Sequence, residues 1–306
     1  MTKPKRTRTM TPAALAGLEK ARKARMEARQ ALLSVEAVPP LPFIDQVKAM
    51  STPVTVTGNS ERTFAIAGDI GDCIAMLPSI RHMGGGHVVI TPPPPGVGTG
   101  QGFCRESMQG TRYESIKPLL ECQPYIHSVS WGRLPAGAID VSHFRTPPHF
   151  QENIIQCIAR YLKLGRVSEE PWLTVPFDGE VGKGPVVFSR SPRYQNTRMP
   201  MPGYAAEFRD ALFIGSPDEH KAFEKYVCRD VIYQPTKNLL EVAKLMMAAR
   251  FVICNQSCPA WVAMGLGRPF VLEVCPDVSI QNSIVVRENG RWVGNEDQVG
   301  VKKNWY

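Results

Sequence analysis

The chain has 306 residues, carries 36 Lys and Arg against 28 Asp and Glu for a net charge of +8, and is 43% hydrophobic and 21% charged. That length and balance describe a globular protein with room for two domains, and no stretch reaches the roughly 18–20 uninterrupted apolar residues of a membrane helix. Residues 1–8 lead into a charged segment instead of an apolar signal core, so membrane spanning and secretion are both disfavoured.

The first 36 residues hold nine cations and three anions, so most of the net charge lies there and the remainder is nearly neutral. TKPKRTRTMT offers almost no apolar side chains to bury and is expected to be disordered. From Thr11, with Pro12 at the first helical position, AALAGLEKARKARMEARQALL is rich in helix formers. Such a basic arm either grips nucleic-acid phosphates or serves as a solvated extension. Val38-Pro39-Pro40-Leu41-Pro42 closes it off, which makes residues 1–42 an arm and linker.

The body, from residue 43, begins to read clearly at Phe64–Ala67, a short apolar strand. Gly68-Asp69-Ile70-Gly71-Asp72 is a glycine-punctuated turn, Cys73–His82 a helix with Ile74, Leu77 and Ile80 on one face, and Val88–Ile90 the next strand. This is a parallel βαβ unit, whose ligands sit where the turn opens a helix N-terminus. Thr91–Gly102, with four consecutive prolines and then GVGTGQG, is expected to be a loop over that edge. A helix over 113–122, short strands at Ser128–Trp131 and Ala138–Val141, and an amphipathic helix over Phe150–Leu164 complete a first domain, residues 43–165. Residues 166–183 read as the connection.

A second domain, residues 184–290, opens with the buried-strand pattern Pro185–Ser189. The polar loop RSPRYQNTRMPMPG after it gathers Arg190, Arg193 and Arg198 beside Tyr194 and Asn196. Strands at Ala211–Ile214, Val231–Tyr233, Phe251–Cys254 and Pro269–Val274 then alternate with helices over His220–Tyr226, Asn238–Ala249 and Ala260–Leu266. Residues 291–306 read as a C-terminal tail. The regular alternation predicts two doubly wound parallel sheets.

Eight cysteines are scattered without a CxxC pair, and six histidines show no metal-ligand spacing. Reduced thiols, no bound metal and a cytoplasmic location are the expectations.

GDIGDCIAMLPSI, ALFIGSPDEH and NLLEVAKLMMAARFVICNQSCPAWVAMGLGRPFVLE, in that order over about residues 60–280, resemble glycosyltransferase family nine, the heptosyltransferases and their relatives. The resemblance implies the GT-B architecture: an α/β fold of two facing Rossmann-like parallel-sheet domains, here preceded by a basic N-terminal helical tail. It also implies an inverting, metal-independent glycosyltransferase without a cofactor, with a nucleotide-sugar donor bound mainly by the second domain.

Carried onto this chain, the family's Gly-Asp dipeptide falls on Gly71-Asp72. That makes Asp72 the expected general base, with Asp69 as the competing carboxylate and a helix N-cap as the structural role open to either. Asn255-Gln256-Ser257-Cys258-Pro259 falls where the family has a turn whose amides meet the donor diphosphate. The chain departs from the family there at Gln256, Cys258 and Trp261, so a diphosphate donor is implied without its sugar or nucleotide. Arg190, Arg193, Asn196 and Arg198 match the loop that faces the phosphates, where fixed arginines neutralise a leaving diphosphate. Gly215 and Glu273 are further donor-side candidates, Glu273 for the ribose, while Asp140, His143 and Arg145 are candidates to line the acceptor cleft.

For the acceptor, the basic arm points to DNA carrying hydroxylated or hydroxymethylated pyrimidines, read from a flipped-out or single-stranded base. The family instead points to lipopolysaccharide or another surface glycan. A non-catalytic nucleotide-sugar or nucleic-acid binding protein on the same fold is the third reading.

Overall fold

The computed structural model describes residues 62–92, 111–142, 153–275 except 198, 200, 209 and 229, and 290–293. The basic arm, the proline-rich loop from residue 93 onward, and His143, Arg145 and Arg198 lie outside the described residues.

The first lobe is built from β1 (Thr63–Ile66), α1 (Ile70–His82), β2 (Gly86–Ile90), α2 (Thr111–Glu121), β3 (Ile126–Trp131), β4 (Ile139–Asp140) and α3 (Ile154–Tyr161). Its strands form a parallel sheet in the order β3-β2-β1-β4. The second lobe contains β5 (Val187–Ser189), α4 (Met201–Glu207), β6 (Leu212–Phe213), α5 (Pro217–Tyr226), β7 (Ile232–Tyr233), α6 (Leu239–Ala248), β8 (Val252–Asn255), α7 (Cys258–Gly265), β9 (Phe270–Glu273) and β10 (Gly290–Val293). These strands are also parallel, in the order β10-β9-β8-β5-β6-β7. Among the described residues, no helix is long and apolar enough to cross a membrane.

Capping explains where the helices differ from their sequence reading. α1 begins at Ile70, three residues early, because extended Asp69 caps it and the Asp69 N–H donates to Asp72 Oδ2 at 3.1 Å. α5 begins at Pro217, not His220, through a capping box in which Glu219 N donates to Ser216 Oγ at 3.2 Å and Ser216 N to Glu219 Oε2 at 2.8 Å. α4 begins at Met201, inside the segment that read as polar loop, and runs past its end. Gly290–Val293, assigned mostly to the tail from sequence, forms the strand beside β9, a four-residue element too short for periodicity to single out.

The two lobes share one core. α1 packs on α7, and α2 on α6, so a single apolar cluster runs from Phe64 and Ile74 in the first lobe to Val252 and Val262 in the second. A second cluster around Phe188, Phe213 and Phe251 belongs to the second lobe alone.

The segment joining the lobes is part of this core. Pro78 lies inside α1 and has no N–H, so the Ile74 carbonyl one turn earlier lacks its helical donor. The Trp172 indole N–H donates to that carbonyl at 3.1 Å. On the other side, the backbone N–H groups of Trp172 and Leu173 donate to the Gly265 carbonyl of α7 at 2.8 and 2.9 Å, and Tyr125 Oη donates to the Trp172 carbonyl at 2.7 Å. Trp172 is 1% exposed and its ring centroid lies 6.4 Å from that of Trp261 on α7. One residue thereby ties a helix of each lobe.

Trp172→Phe keeps most of the ring but strands the Ile74 carbonyl, which should cost about 1–3 kcal/mol. Trp172→Ala should cost about 3–5 kcal/mol because it also opens a cavity. Urea unfolding followed by circular dichroism checks both, and a Phe variant as stable as the parent would show that the indole hydrogen bond contributes nothing.

Candidate functional site

In a doubly wound sheet, ligands bind beyond the carboxyl ends of the strands, where successive connections run to opposite sides. Here the first lobe switches between β1 and β4, and the second between β5 and β8. The segments leaving these strands begin at Ala67, Val141, Arg190 and Gln256. Most of the residues singled out from sequence fall at these ends.

Gly68, at φ 139°, turns the chain out of β1, and a Cβ there would lie 2.8 Å from that of Asp72. Asp72 points back into the helix start and is only 7% exposed. Asp69 points outward: its side chain is 32% exposed and reaches Arg193 Nη1 of the second lobe at 3.4 Å and Arg112 Nη1 of α2 at 3.8 Å. The two aspartates therefore lie in different surroundings. Asp72 supports the first turn, and Asp69 bridges the lobes.

The start of α7 meets the start of α1. A Cβ on Gly71 would come within 3.0 Å of Trp261 Cδ1 and 3.4 Å of Cys258 Cα, so a side chain there would press on the Trp261 ring where the helices approach. Burial pushes the Cys258 thiol up to about 12, with further contributions from the Asp69 and Asp72 carboxylates. The approach of Cys258 Cα to Gly71 places Cys258 at the same junction.

Several sequence candidates turn inward. Arg190 donates to both oxygens of Glu273 at 2.7 and 2.6 Å, and Glu273, at 0% exposure, also accepts the Asn196 backbone N–H at 2.7 Å. Arg190 and Glu273 thus compensate each other inside the protein. Asn255 is fully buried and bonds the loop at Ser191 and Arg193. Gln256 is buried too, its Oε1 accepting from Cys275 N at 2.7 Å. Ser257 caps α7 in extended conformation and donates from Oγ to Asn255 Oδ1 at 2.9 Å.

In the loop after β5, Arg193 is the described arginine that faces the first lobe. Its guanidinium lies 5.4 Å from the Tyr194 ring, and Tyr194 itself has φ 56°. Asp140, on β4, accepts from Ser142 N at 2.8 Å and from Ser142 Oγ at 2.6 Å. Gly215 lies beyond β6, where its carbonyl accepts from Tyr233 Oη at 3.2 Å. Arg112 escaped the sequence reading, since one arginine in the first turn of a polar helix carries no distinguishing pattern. Among the described residues, no three His, Cys, Asp or Glu side chains come together as a metal site.

No protein-family model matches the chain, and no curated protein matches it. Among solved structures it is similar to a glycosyltransferase of family 9 from Veillonella parvula DSM 2008, with a TM-score of 0.55 and 12% identity over 81% of this chain and 92% of that one. The fold is that of a family 9 glycosyltransferase. The chain is also similar to the E. coli heptosyltransferase WaaC with ADP-2-deoxy-2-fluoro heptose, at a TM-score of 0.47 and 12% identity over 79% of this chain and 99% of that one. The GT-B architecture expected from the sequence is the one observed, two parallel-sheet lobes with the β1–α1 and β8–α7 turns facing each other.

Two partly buried thiols, Cys258 at this junction and Cys122 after α2, give the protein a pH signature. Burial raises Cys258 to about 12 and Cys122 to about 11, whereas thiols of an unfolded chain ionise near 8.5. Above that pH the unfolded chain has released protons that the folded protein still holds, so stability should fall as pH rises from about 9 toward 12. Urea midpoints measured across this range should fall less steeply for Cys258→Ala than for the parent protein; parallel slopes would mean that Cys258 ionises normally.

Proposed function

We propose that the protein is an inverting glycosyltransferase that moves a sugar from a nucleotide diphosphate donor to an acceptor hydroxyl without a metal ion. The observation that carries this reading is the convergence, between the two lobes, of the Asp69 carboxylate, the Arg193 guanidinium and the start of α7. In the reaction, the acceptor hydroxyl oxygen forms a bond to the anomeric carbon and gives its proton to a carboxylate. The bond from that carbon to the diphosphate breaks, and the departing charge is met by Arg193 and the amide end of α7.

The resemblance placed the proton acceptor at Asp72, and the geometry favours Asp69. Asp69 is the carboxylate that a substrate between the lobes reaches, while Asp72 is buried against the helix start. Arg193 holds Asp69 in this arrangement; a diphosphate that draws Arg193 away would release the carboxylate toward the acceptor.

For the acceptor, the reading we carry is a glycan hydroxyl. Near the junction, Arg190 is paired with Glu273, and Arg193 and Arg112 with Asp69. The charge that favours DNA as acceptor lies in residues 1–36, outside the described residues.

A nucleotide-release screen over nucleotide diphosphate sugars, with lipid-linked glycan and hydroxymethylated DNA as rival acceptors, tests the reading. Turnover should persist in excess chelator and should require the glycan. Turnover with DNA alone would transfer the acceptor assignment to the basic arm, and no release with any donor would sink the enzyme reading. Asp69→Asn should lower turnover at least a hundredfold with donor binding retained, consistent with the loss of a general base. Asp72→Asn should lower stability more than turnover; the reverse pattern returns the base to Asp72.

A further inference from the structure

The loop that presents Arg193 is held from beneath by a side chain that does not face the junction. Asn255 ends β8 and is 0% exposed. Its Nδ2 donates to the Ser191 carbonyl at 3.0 Å, to Ser191 Oγ at 3.2 Å and to the Arg193 carbonyl, while its Oδ1 accepts from Ser191 N at 3.2 Å and Ser257 Oγ at 2.9 Å. A carboxamide has two N–H donors and one oxygen with two lone pairs, so this set leaves Asn255 nothing with which to bind a ligand.

The residue after the tether explains why one is needed. Tyr194 has φ 56°, in the left-handed region that a residue with a side chain occupies only when its surroundings hold it there. The bond from Asn255 to the Arg193 carbonyl fixes the peptide that enters this turn. The turn in turn sends the Arg193 guanidinium to Asp69 in the other lobe.

We infer that Asn255 is a positioning residue for Arg193: it orients the arginine toward the diphosphate through the loop backbone and does not itself touch the donor. The inference rests on the proposed role of Arg193 in diphosphate binding. It also links the two turns of the second lobe, since Ser257 at the cap of α7 and Ser191 in the loop bond to the same carboxamide.

Calorimetry of the full chain with inorganic pyrophosphate, which carries the diphosphate charge without base or sugar, separates the possibilities. Arg193→Ala should weaken binding at least tenfold. Asn255→Asp keeps the shape and the acceptor oxygen but turns a carboxylate on the Arg193 carbonyl, and should weaken pyrophosphate binding by the same factor. The double variant should be no weaker than either single one, because both remove the same contact. Acidification should restore Asn255→Asp relative to the parent protein at the same pH, since a protonated carboxyl again donates to that carbonyl. Additive losses in the double variant, or Asn255→Asp binding within twofold of the parent, would overturn the inference while leaving Arg193 in its role. No effect of Arg193→Ala would overturn the diphosphate reading itself. If Asn255→Asp does not fold, Asn255→Ser, too short to reach the Arg193 carbonyl, replaces it in the same cycle with the same expected loss and non-additivity.

Discussion

A proline inside α1 leaves the Ile74 carbonyl without its helical donor, and the Trp172 indole supplies one from the segment that joins the lobes. An unpaired carbonyl at this depth is costly, so α1 has a reason to keep Trp172 in place. The same residue bonds through its backbone to the end of α7. The spacing of α1 and α7 is thereby set away from their N-termini, and that spacing decides how the Asp69 and Cys258 turns meet. A connection between two domains usually allows them to move. Here Trp172 and Leu173 of the connection are buried in the core that the two lobes share, which ties the connection to both.

At the junction, the polar groups divide by direction. Glu273 and Asn255, at adjacent strand ends, face inward and hold the loop after β5 at Asn196 and at Ser191 and Arg193. The Arg190–Glu273 pair is almost wholly buried, and the Asn196 amide adds a third donor to the carboxylate. Such pairs contribute little net stability but penalise any arrangement that separates them. Arg193, carried on the loop they fix, faces outward. A strained turn at Tyr194 is tolerable because its neighbours are tied on both sides.

Much of this was legible in the amino-acid order. Alternating short apolar runs and amphipathic segments, with glycines between them, specify parallel α/β lobes because each strand must be covered on both faces by helices. The turns after β1, β5 and β8 were visible as sites because they break that alternation with Asp, Arg and Asn. Helix starts were less legible. The N-cap role of Asp69 and of Ser216 shifts each helix by three residues, and Asp and Ser in a polar turn carry the same signal whether they cap or wait outside the helix.

Local pattern was sufficient for two parallel α/β lobes and for the turns that leave β1, β5 and β8, because hydrophobic period and turn residues act over short stretches of chain. The direction of each polar side chain was settled by contacts between segments far apart in sequence. Asp69 finds Arg193 across 124 positions, Arg190 finds Glu273 across 83 and Trp172 finds Ile74 across 98. No local property of Asn255 or Glu273 distinguishes a residue that binds a ligand from one that fixes a loop. That distinction arises when packing excludes water from one side of the strand ends and leaves the other side open, which is a property of the assembled lobes.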